Sequence, residues 1–466
     1  MATSLIRVDR WPLRTTHEQR AWVVATQREY RAYAAALMGV VWTHWSTIDG
    51  AGSRCHAVEG LIHATARRPV VRYPYFDRRF HKFPSYLRRA AIEASLGQVS
   101  SFIERQDRWQ SGRRNRRTAA PPKRTGANEL NPALYRGQNV KFDTTCEVAE
   151  IKVWNTCDWI WTKFPILHKR QRHLAPQNKA LSPMLLTHGS KIHLAVPFEI
   201  PKKRLRTLGA PVCAVDLGIN TTATASIVHR DGTVTARRLF HRATDIDRRD
   251  KGLVAIRGKA RKTAKLSHGF CRALYRKARH RNIEMSRRIG RGLIEFAQTH
   301  GAEVVVFESL KGWRPRGGQK RSPLRQRFHG WLHRALVHRV EMIAEGLGLR
   351  VWFVNPKNTS ALAYDGSGFL KRDAHNASLT AFSTGKRYNA DLNASYNIGA
   401  RYWLDQRTGR NDRQTPPGKS PGGVPRIWVT FSTLWELAQS RRLTTGTVTA
   451  WPSLGVDAAT TTAQAV

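Results

Sequence analysis

Apolar residues recur along the first part of the chain at two different periods. Residues 4–14 alternate weakly between apolar and polar, which predicts a first strand. Thr15, with Glu18 three positions on, has the spacing of a capping box, so a helix is expected to open there. Tyr30, Tyr33, Leu37, Met38, Val41, Trp42 and Trp45 then recur every three or four residues, the stripe of a helix buried along one face. A second helical stretch over 85–109 turns Tyr86, Ile92, Leu96, Val99 and Ile103 inward and several arginines outward.

Past residue 140 the period shortens. β-prone runs at 146–154, 159–164 and 192–196 predict a small β-barrel completed by the first strand, with the helical lobe inserted into it. After Pro201, the runs 212–217, 222–228 and 233–240 read as a β-meander. Strands at 303–307 and 350–354 flank a helix at about 324–347, and a final helix opens near Asp391. The stretch beyond Trp403, rich in Thr, Gly and Pro, is expected to be partly disordered.

Composition narrows the function. At 466 residues the chain has room for roughly three domains. Lys and Arg total 79 against 33 Asp and Glu, a formal charge of +46 that calls for a polyanionic partner, nucleic acid before a membrane surface. The longest apolar stretch, 32–42, is too short to span a bilayer, and the start of the chain lacks the apolar run of a signal peptide, so a cytoplasmic protein is expected. Cys55, Cys146, Cys157, Cys213 and Cys271 contain no C-x-x-C pair, which argues against disulfides and a Cys-based zinc site.

Three acids stand where chemistry is plausible. Asp216 ends the apolar run 213–215, Glu308 ends 304–307, and Asp391 opens an amphipathic helix. Each also has an ordinary reading: Asp216 starting a turn, Glu308 facing solvent, Asp391 capping its helix. If the three converge, their repulsion calls for hard divalent cations, magnesium above all, and two such ions suit phosphodiester hydrolysis. A transposase or integrase of the related acidic type would place its Glu last, whereas here the Glu is central.

The segments Ala214-Val215-Asp216-Leu217-Gly218-Ile219, Val305-Val306-Phe307-Glu308-Ser309-Leu310 and Asp391-Leu392-Asn393-Ala394-Ser395-Tyr396-Asn397-Ile398 resemble the three RuvC motifs of TnpB and of miniature type V CRISPR effectors. Asn355-Pro356-Lys357-Asn358-Thr359-Ser360 resembles the segment entering that family's target-nucleic-acid-binding insert, and Thr16-His17-Glu18-Gln19 its N-terminal helix start. The resemblance implies an α/β multidomain chain: an RNase H-like RuvC nuclease domain, plus a small β-barrel wedge domain with an inserted α-helical recognition lobe. The wedge would take 1–14 and 140–207, the recognition lobe 15–139, the nuclease 208–360, the insert 361–386, the last RuvC helix 387–403 and the tail 404–466. Asp216, Glu308 and Asp391 would be both catalytic and metal-binding. The insert departs from the family, since its expected Cys pairs fall on Ala363, Gly366, Ala381 and Thr384, so no structural zinc is expected.

The implied partners are a guide RNA and target double-stranded DNA, with a homodimer on one guide RNA left open and no membrane. Candidate nucleic-acid contacts are Arg72, Tyr73, Tyr75, Arg88 and Arg89; Arg113, Arg114, Arg116 and Arg117 in a Pro-containing loop; and Lys259, Arg261, Lys262, Lys265, Arg272, Arg276 and Arg279. The last group lies in 248–291, which holds sixteen Lys/Arg against Asp250 and Glu284. Phe76, Phe80 and Phe83 either stack on bases or line a helical core. The basic stretch 311–327 reads as a lid or a passive loop. The leading expectation is an RNA-guided, magnesium-dependent DNA endonuclease of a miniature type V CRISPR system, serving antiviral defence and cutting after recognition of a short flanking motif. Its rivals are a transposon-encoded TnpB nuclease, an RNA-guided binding protein that does not cut, and a guide-free RNA-binding protein.

Overall fold

A computed structural model describes residues 4–112, 121–124, 126–167, 172–203, 209–218, 221–241, 243–263, 266–310, 333–373, 375–376, 378–407 and 429–445. The chain divides into two compact units, Met1–Pro201 and Lys202–Val466.

The first unit runs β1 (Ser4–Leu13), α1 (His17–Thr43), α2 (Trp45–Asp49), α3 (Arg54–Ile62), α4 (Tyr75–Arg79), α5 (Ser85–Gln110), β2 (Val140–Phe142), β3 (Val148–Trp154), β4 (Trp159–Pro165), β5 (Lys179–Ala180), β6 (Met184–His188) and β7 (Lys191–Pro201). The capping box of α1 falls one residue later than predicted. Thr16 Oγ1 accepts from Gln19 N–H and Gln19 Oε1 accepts from Thr16 N–H, each at 3.1 Å. The shift follows from β1, because Arg14 N–H donates to Pro165 O at 2.8 Å and keeps the chain extended past Leu13.

The expected barrel is replaced, among the described residues, by two antiparallel sheets, β1-β7-β5 with β6 also on β7, and β2-β3-β4, joined at the Leu13–Ile166 bridge. Pairing explains the difference. One edge of β7 is filled by β1 and the other by β6 and β5 in tandem, so β7 has no free edge for the β2–β4 ladder. Helix α1 docks on both sheets through polar groups: Thr26 Oγ1 accepts from Trp154 N–H at 2.7 Å, and Gln27 Nε2 donates to Leu185 O at 3.0 Å. Tyr33 stacks on Phe83 with ring centroids 4.4 Å apart and meets Phe76 and Phe80 edge-on. These three phenylalanines are therefore core.

The second unit contains β8 (Val212–Asp216), β9 (Ala223–Val228), β10 (Val234–Phe240), α6 (Ala243–Arg261), α7 (Arg272–Thr299), β11 (Val304–Glu308), α8 (His333–Leu347), β12 (Arg350–Val354), β13 (Lys371–Arg372), β14 (Leu379–Ala381), β15 (Arg387–Asn389), α9 (Ala390–Arg407) and α10 (Phe431–Thr445). The first three strands form the antiparallel meander, and β11 and β12 extend it in parallel to give the order β10-β9-β8-β11-β12. The helix start predicted at 324 and the basic stretch 311–327 lie outside the described residues.

Alternation along the strands divides this sheet into two faces. Cys213, Val215, Ile227, Val305 and Phe307 join Ile289 and Leu293 of α7 and Leu336 and Val340 of α8 in one apolar cluster. Val212, Ala214, Val228, Val304 and Val306 face the other way, toward Ile398, Tyr402 and Trp403 of α9 and Leu434 of α10. The close approach of α9 requires a glycine, since a Cβ on Gly399 would stand 2.6 Å from Val228 Cγ2. The five cysteines are free, and no described helix is long and apolar enough to cross a membrane.

Candidate active site

Strand parity brings two of the acids together. β8 and β11 are adjacent and parallel, with Phe307 opposite Val215, so Asp216 and Glu308 follow side by side at the carboxyl ends of their strands. Both continue the series facing α9. That helix runs antiparallel to β8: Trp403 Nε1 donates to Val228 O at 3.1 Å near the start of β8, and Ser395 Oγ lies 2.5 Å from Ser226 Oγ near its middle. The first turn of α9, with Asp391, accordingly lies over the strand ends carrying the other two acids.

The ordinary reading of Asp391 as a helix cap is displaced by a neighbour. Asn389 Oδ1 accepts from the Asp391 and Leu392 N–H groups, each at 3.0 Å, and leaves the Asp391 carboxylate to other partners. Among these are the Thr221 hydroxyl, Arg372 and His241. Glu308 is half-buried and accepts from the Thr359 hydroxyl.

Electrostatics link the three carboxyls. Burial pushes Asp216 well above the usual carboxylate range, and the charges of Glu308 and Asp391 push it further, against Arg372 and the Leu217 N–H. Burial also raises Glu308, opposed by the Thr359 hydroxyl and Arg401, and raises Asp391. Arg401 is buried in turn, its guanidinium pushed down to about 10 while Glu308 and Asp405 oppose the shift.

The donor chemistry fits a hard divalent cation: three carboxyls whose charged forms are disfavoured by burial, Asp216 also by the other two. Thr224, paired across the ladder with Asp216, and Thr222 add buried hydroxyl oxygens without a hydrogen-bond partner. The side-chain placement is looser than the chemistry. Among the described residues, no group of three or more His, Cys, Asp or Glu side chains is arranged to hold an ion.

The other candidates are dispersed. Arg72, Tyr75 and Arg89 are exposed, the last 3.4 Å from Glu93; Tyr73 is half-buried with its hydroxyl 2.8 Å from His44 Nε2; and Arg88 is half-buried 3.5 Å from Glu59. Lys259, Arg261 and Lys262 are exposed at and just past the end of α6, and Arg272, Arg276 and Arg279 are exposed on α7. Arg113, Arg114, Arg116, Arg117 and Lys265 lie outside the described residues. Sequence reasoning missed Thr221, Thr359, Arg372 and Arg401, whose links to the acids depend on the tertiary fold.

The insert between β12 and α9 packs around aromatic rings. Tyr364 meets Phe382, Tyr388 and Tyr396 at centroid distances of 5.6, 5.4 and 5.4 Å. Lys386 lies over Tyr364, Phe382 and Tyr388, and its ammonium donates to the Tyr364 hydroxyl at 2.6 Å. The first strand of this insert carries Arg372 to the acids.

A family model described as the Aq_aa04 family matches residues 7–155, within the first unit. The TnpB-like protein aq_aa05 of Aquifex aeolicus (strain VF5) is 30% identical over 206 residues, covering 40% of this chain and 66% of that protein. Among solved structures, a Cas12f1–sgRNA–target DNA complex aligns at 13% identity over 82% of this chain and 83% of its own, with a TM-score of 0.49. CasPhi-2 (Cas12j) bound to crRNA aligns at 11% identity over 89% and 99%, with a TM-score of 0.43. Over 40% of its length the chain is thus similar to a TnpB-like protein.

Proposed function

We propose that this chain is an RNA-guided DNA endonuclease and that its five-stranded sheet is an RNase H-like RuvC core. The observation carrying the reading is the placement of Asp216 and Glu308 on adjacent parallel strand ends beneath the first turn of the helix bearing Asp391, with burial and mutual repulsion acting on Asp216. Asp216, Glu308 and Asp391 would hold a pair of divalent cations, magnesium by preference. Bound there, the ions would activate a water and stabilise the leaving 3′ oxygen of a phosphodiester. The chain's own part is to keep three carboxylates ionised and aimed at one place: Thr221 holds Asp391, Thr359 holds Glu308, and Arg372 offsets charge beside Asp216.

The charge of +46 supports a division of labour in which exposed Arg and Lys grip backbones and a guide RNA reads sequence. In this reading the first unit comprises the wedge and recognition lobe and the second the nuclease with its insert. Absence of the insert's Cys pairs favours a miniature type V effector, while the curated relative favours a transposon-encoded TnpB nuclease.

The test uses the full chain with its co-purified RNA, a plasmid bearing the matching target next to random flanking sequence, and magnesium. The expected result is linear plasmid with the wild type and none with Asp216→Asn, at unchanged target affinity. Target binding without cutting by the wild type rejects the nuclease. Cutting that ignores target sequence rejects the guide.

A further inference from the structure

Three residues of α9 project from one helical face at intervals of four and reach the same loop. Asn393 Nδ2 donates to Leu362 O at 2.8 Å, and its Oδ1 accepts from Tyr364 N–H at 2.7 Å. Asn397 Nδ2 donates to Thr359 O and Leu362 O, each at 3.0 Å, while its Oδ1 accepts from Phe431 N–H at 2.9 Å. Arg401 Nη1 donates to Asn355 O at 2.6 Å and Lys357 O at 2.7 Å, and its Nε to Val429 O at 3.2 Å. The two asparagines are fully buried and Arg401 nearly so. Both ends of each asparagine amide are satisfied, so the network accepts one arrangement of the loop.

What that loop holds is Thr359. Its side chain is buried, and the preceding Asn358 adopts φ +66°, a left-handed conformation that turns the chain sharply. The single hydroxyl proton of Thr359 has two acceptors, Pro356 O at 2.9 Å and Glu308 Oε1. An ionised carboxylate is the stronger acceptor, so the proton goes to Glu308 whenever that group is charged. Apolar packing would have sufficed to dock a loop on a helix. A satisfied polar ladder that ends in a hydroxyl on an acid fixes a direction as well.

We infer that Thr359 is a positioning residue for Glu308, set in place by the Asn393–Asn397–Arg401 ladder of α9, so that the helix carrying Asp391 also aims the central carboxylate. This rests on Glu308 being a metal-binding acid of the proposed nuclease.

The test compares Thr359→Val, Thr359→Ser and Glu308→Gln in the full chain with its guide RNA. Thr359→Val is expected to slow cutting of the matched plasmid about 10- to 100-fold and to raise the magnesium concentration needed for half-maximal rate. Calorimetric titration with Mn²⁺ should show weaker binding, with target affinity unchanged. Thr359→Ser should restore cutting and Mn²⁺ binding to near wild type. If the valine variant fails to fold, Thr359→Ala takes its place against the same serine rescue. Wild-type cutting and Mn²⁺ affinity in the hydroxyl-free variant, with Glu308→Gln inactive, overturns the positioning role and leaves the nuclease reading standing. Loss that serine does not rescue, or loss without weaker Mn²⁺ binding, also overturns it. Undiminished cutting by Glu308→Gln removes the underlying reading, and the inference with it.

Discussion

The two faces of the five-stranded sheet are built from the same strands and do opposite things. Toward α7 and α8 the sheet contributes to an apolar cluster in which Phe307 and Val215 are fully buried. Toward α9 the buried set includes Asp216, Thr224, Ser226, Asn393, Ser395, Asn397 and Arg401. Burial of that many polar groups costs stability unless each is paired, so such a face is justified by what it positions. The apolar face makes the sheet rigid; the polar face uses that rigidity to fix directions.

Phe307 and Glu308 are neighbours in β11 and point to opposite faces, so they give the sharpest test of this division. Glu308→Gln should lower plasmid cutting by at least about a hundredfold while leaving the unfolding midpoint close to wild type. Phe307→Ala should remove about 3–5 kcal/mol of stability in denaturant titrations, with cutting falling only in step with the folded fraction. If the two variants lose activity and stability in the same proportion, the faces are not functionally distinct.

A second expectation uses pH. Asp216, Glu308 and Asp391 all have folded-state pKa values above their ordinary ones. Their contribution to stability is therefore fully present below the unfolded pKa, about 4, and is lost as pH rises through the folded values. In a chelating buffer the wild type should lose stability from pH 4 toward 8, and Asp216→Asn should flatten that slope and unfold at a higher temperature at pH 8. Magnesium should restore the wild type at pH 8 and do little for the variant. A wild-type midpoint that is level from pH 4 to 8 would show that burial and repulsion do not raise these carboxyls.

These contrasts also explain what the sequence could and could not disclose. Apolar runs are local, so the strand ends at Asp216 and Glu308 are readable from sequence, whereas the face they share depends on the register of β8 and β11. The opening of a helix near Asp391 is readable too, although its cap is Asn389, two residues earlier. Pairing partners are not local. The runs around 146–201 specify strands, but only the filled edges of β7 show that two sheets form among the described residues in place of a barrel. Thr15–Glu18 and Thr16–Gln19 overlap as capping boxes, and the choice between them depends on Pro165, about 150 residues away. Thr359, Arg372 and Arg401 carry no spacing signal toward the acids, because each reaches them across the fold.

A third variant tests how closely the polar face is held. The Cβ of Gly399→Ala would meet Val228 at 2.6 Å, and neither α9 nor the end of β9, held between β8 and β10, can give way freely. The expected cost is about 1–3 kcal/mol, read by denaturant titration. Ala400, one position on in the same helix, already packs in the cluster facing α9, so Ala400→Gly, which removes a methyl without crowding Val228, is the control for helix propensity. A neutral Gly399→Ala would mean that α9 stands off the sheet and cannot define the acids' geometry.

The smallest expected effect lies in the insert, where aromatic rings meet at the positions around Ala363, Gly366, Ala381 and Thr384. Lys386 lies over three of those rings, and Lys386→Ala removes both that contact and the hydrogen bond to Tyr364. Exposed cation–π contacts contribute about 0.5–1 kcal/mol, too little to unfold the unit but enough to loosen β13 to β15. Amide hydrogen exchange should quicken at Thr380 and Tyr388, which pair across β14 and β15, and stay unchanged at Val305 in the sheet. Because β13 carries Arg372 toward Asp216 and Asp391, the same variant should also raise the magnesium requirement for cutting slightly. Faster exchange without that change would make the insert a separate module, whereas both together would extend the polar face beyond the sheet to the chain that covers it.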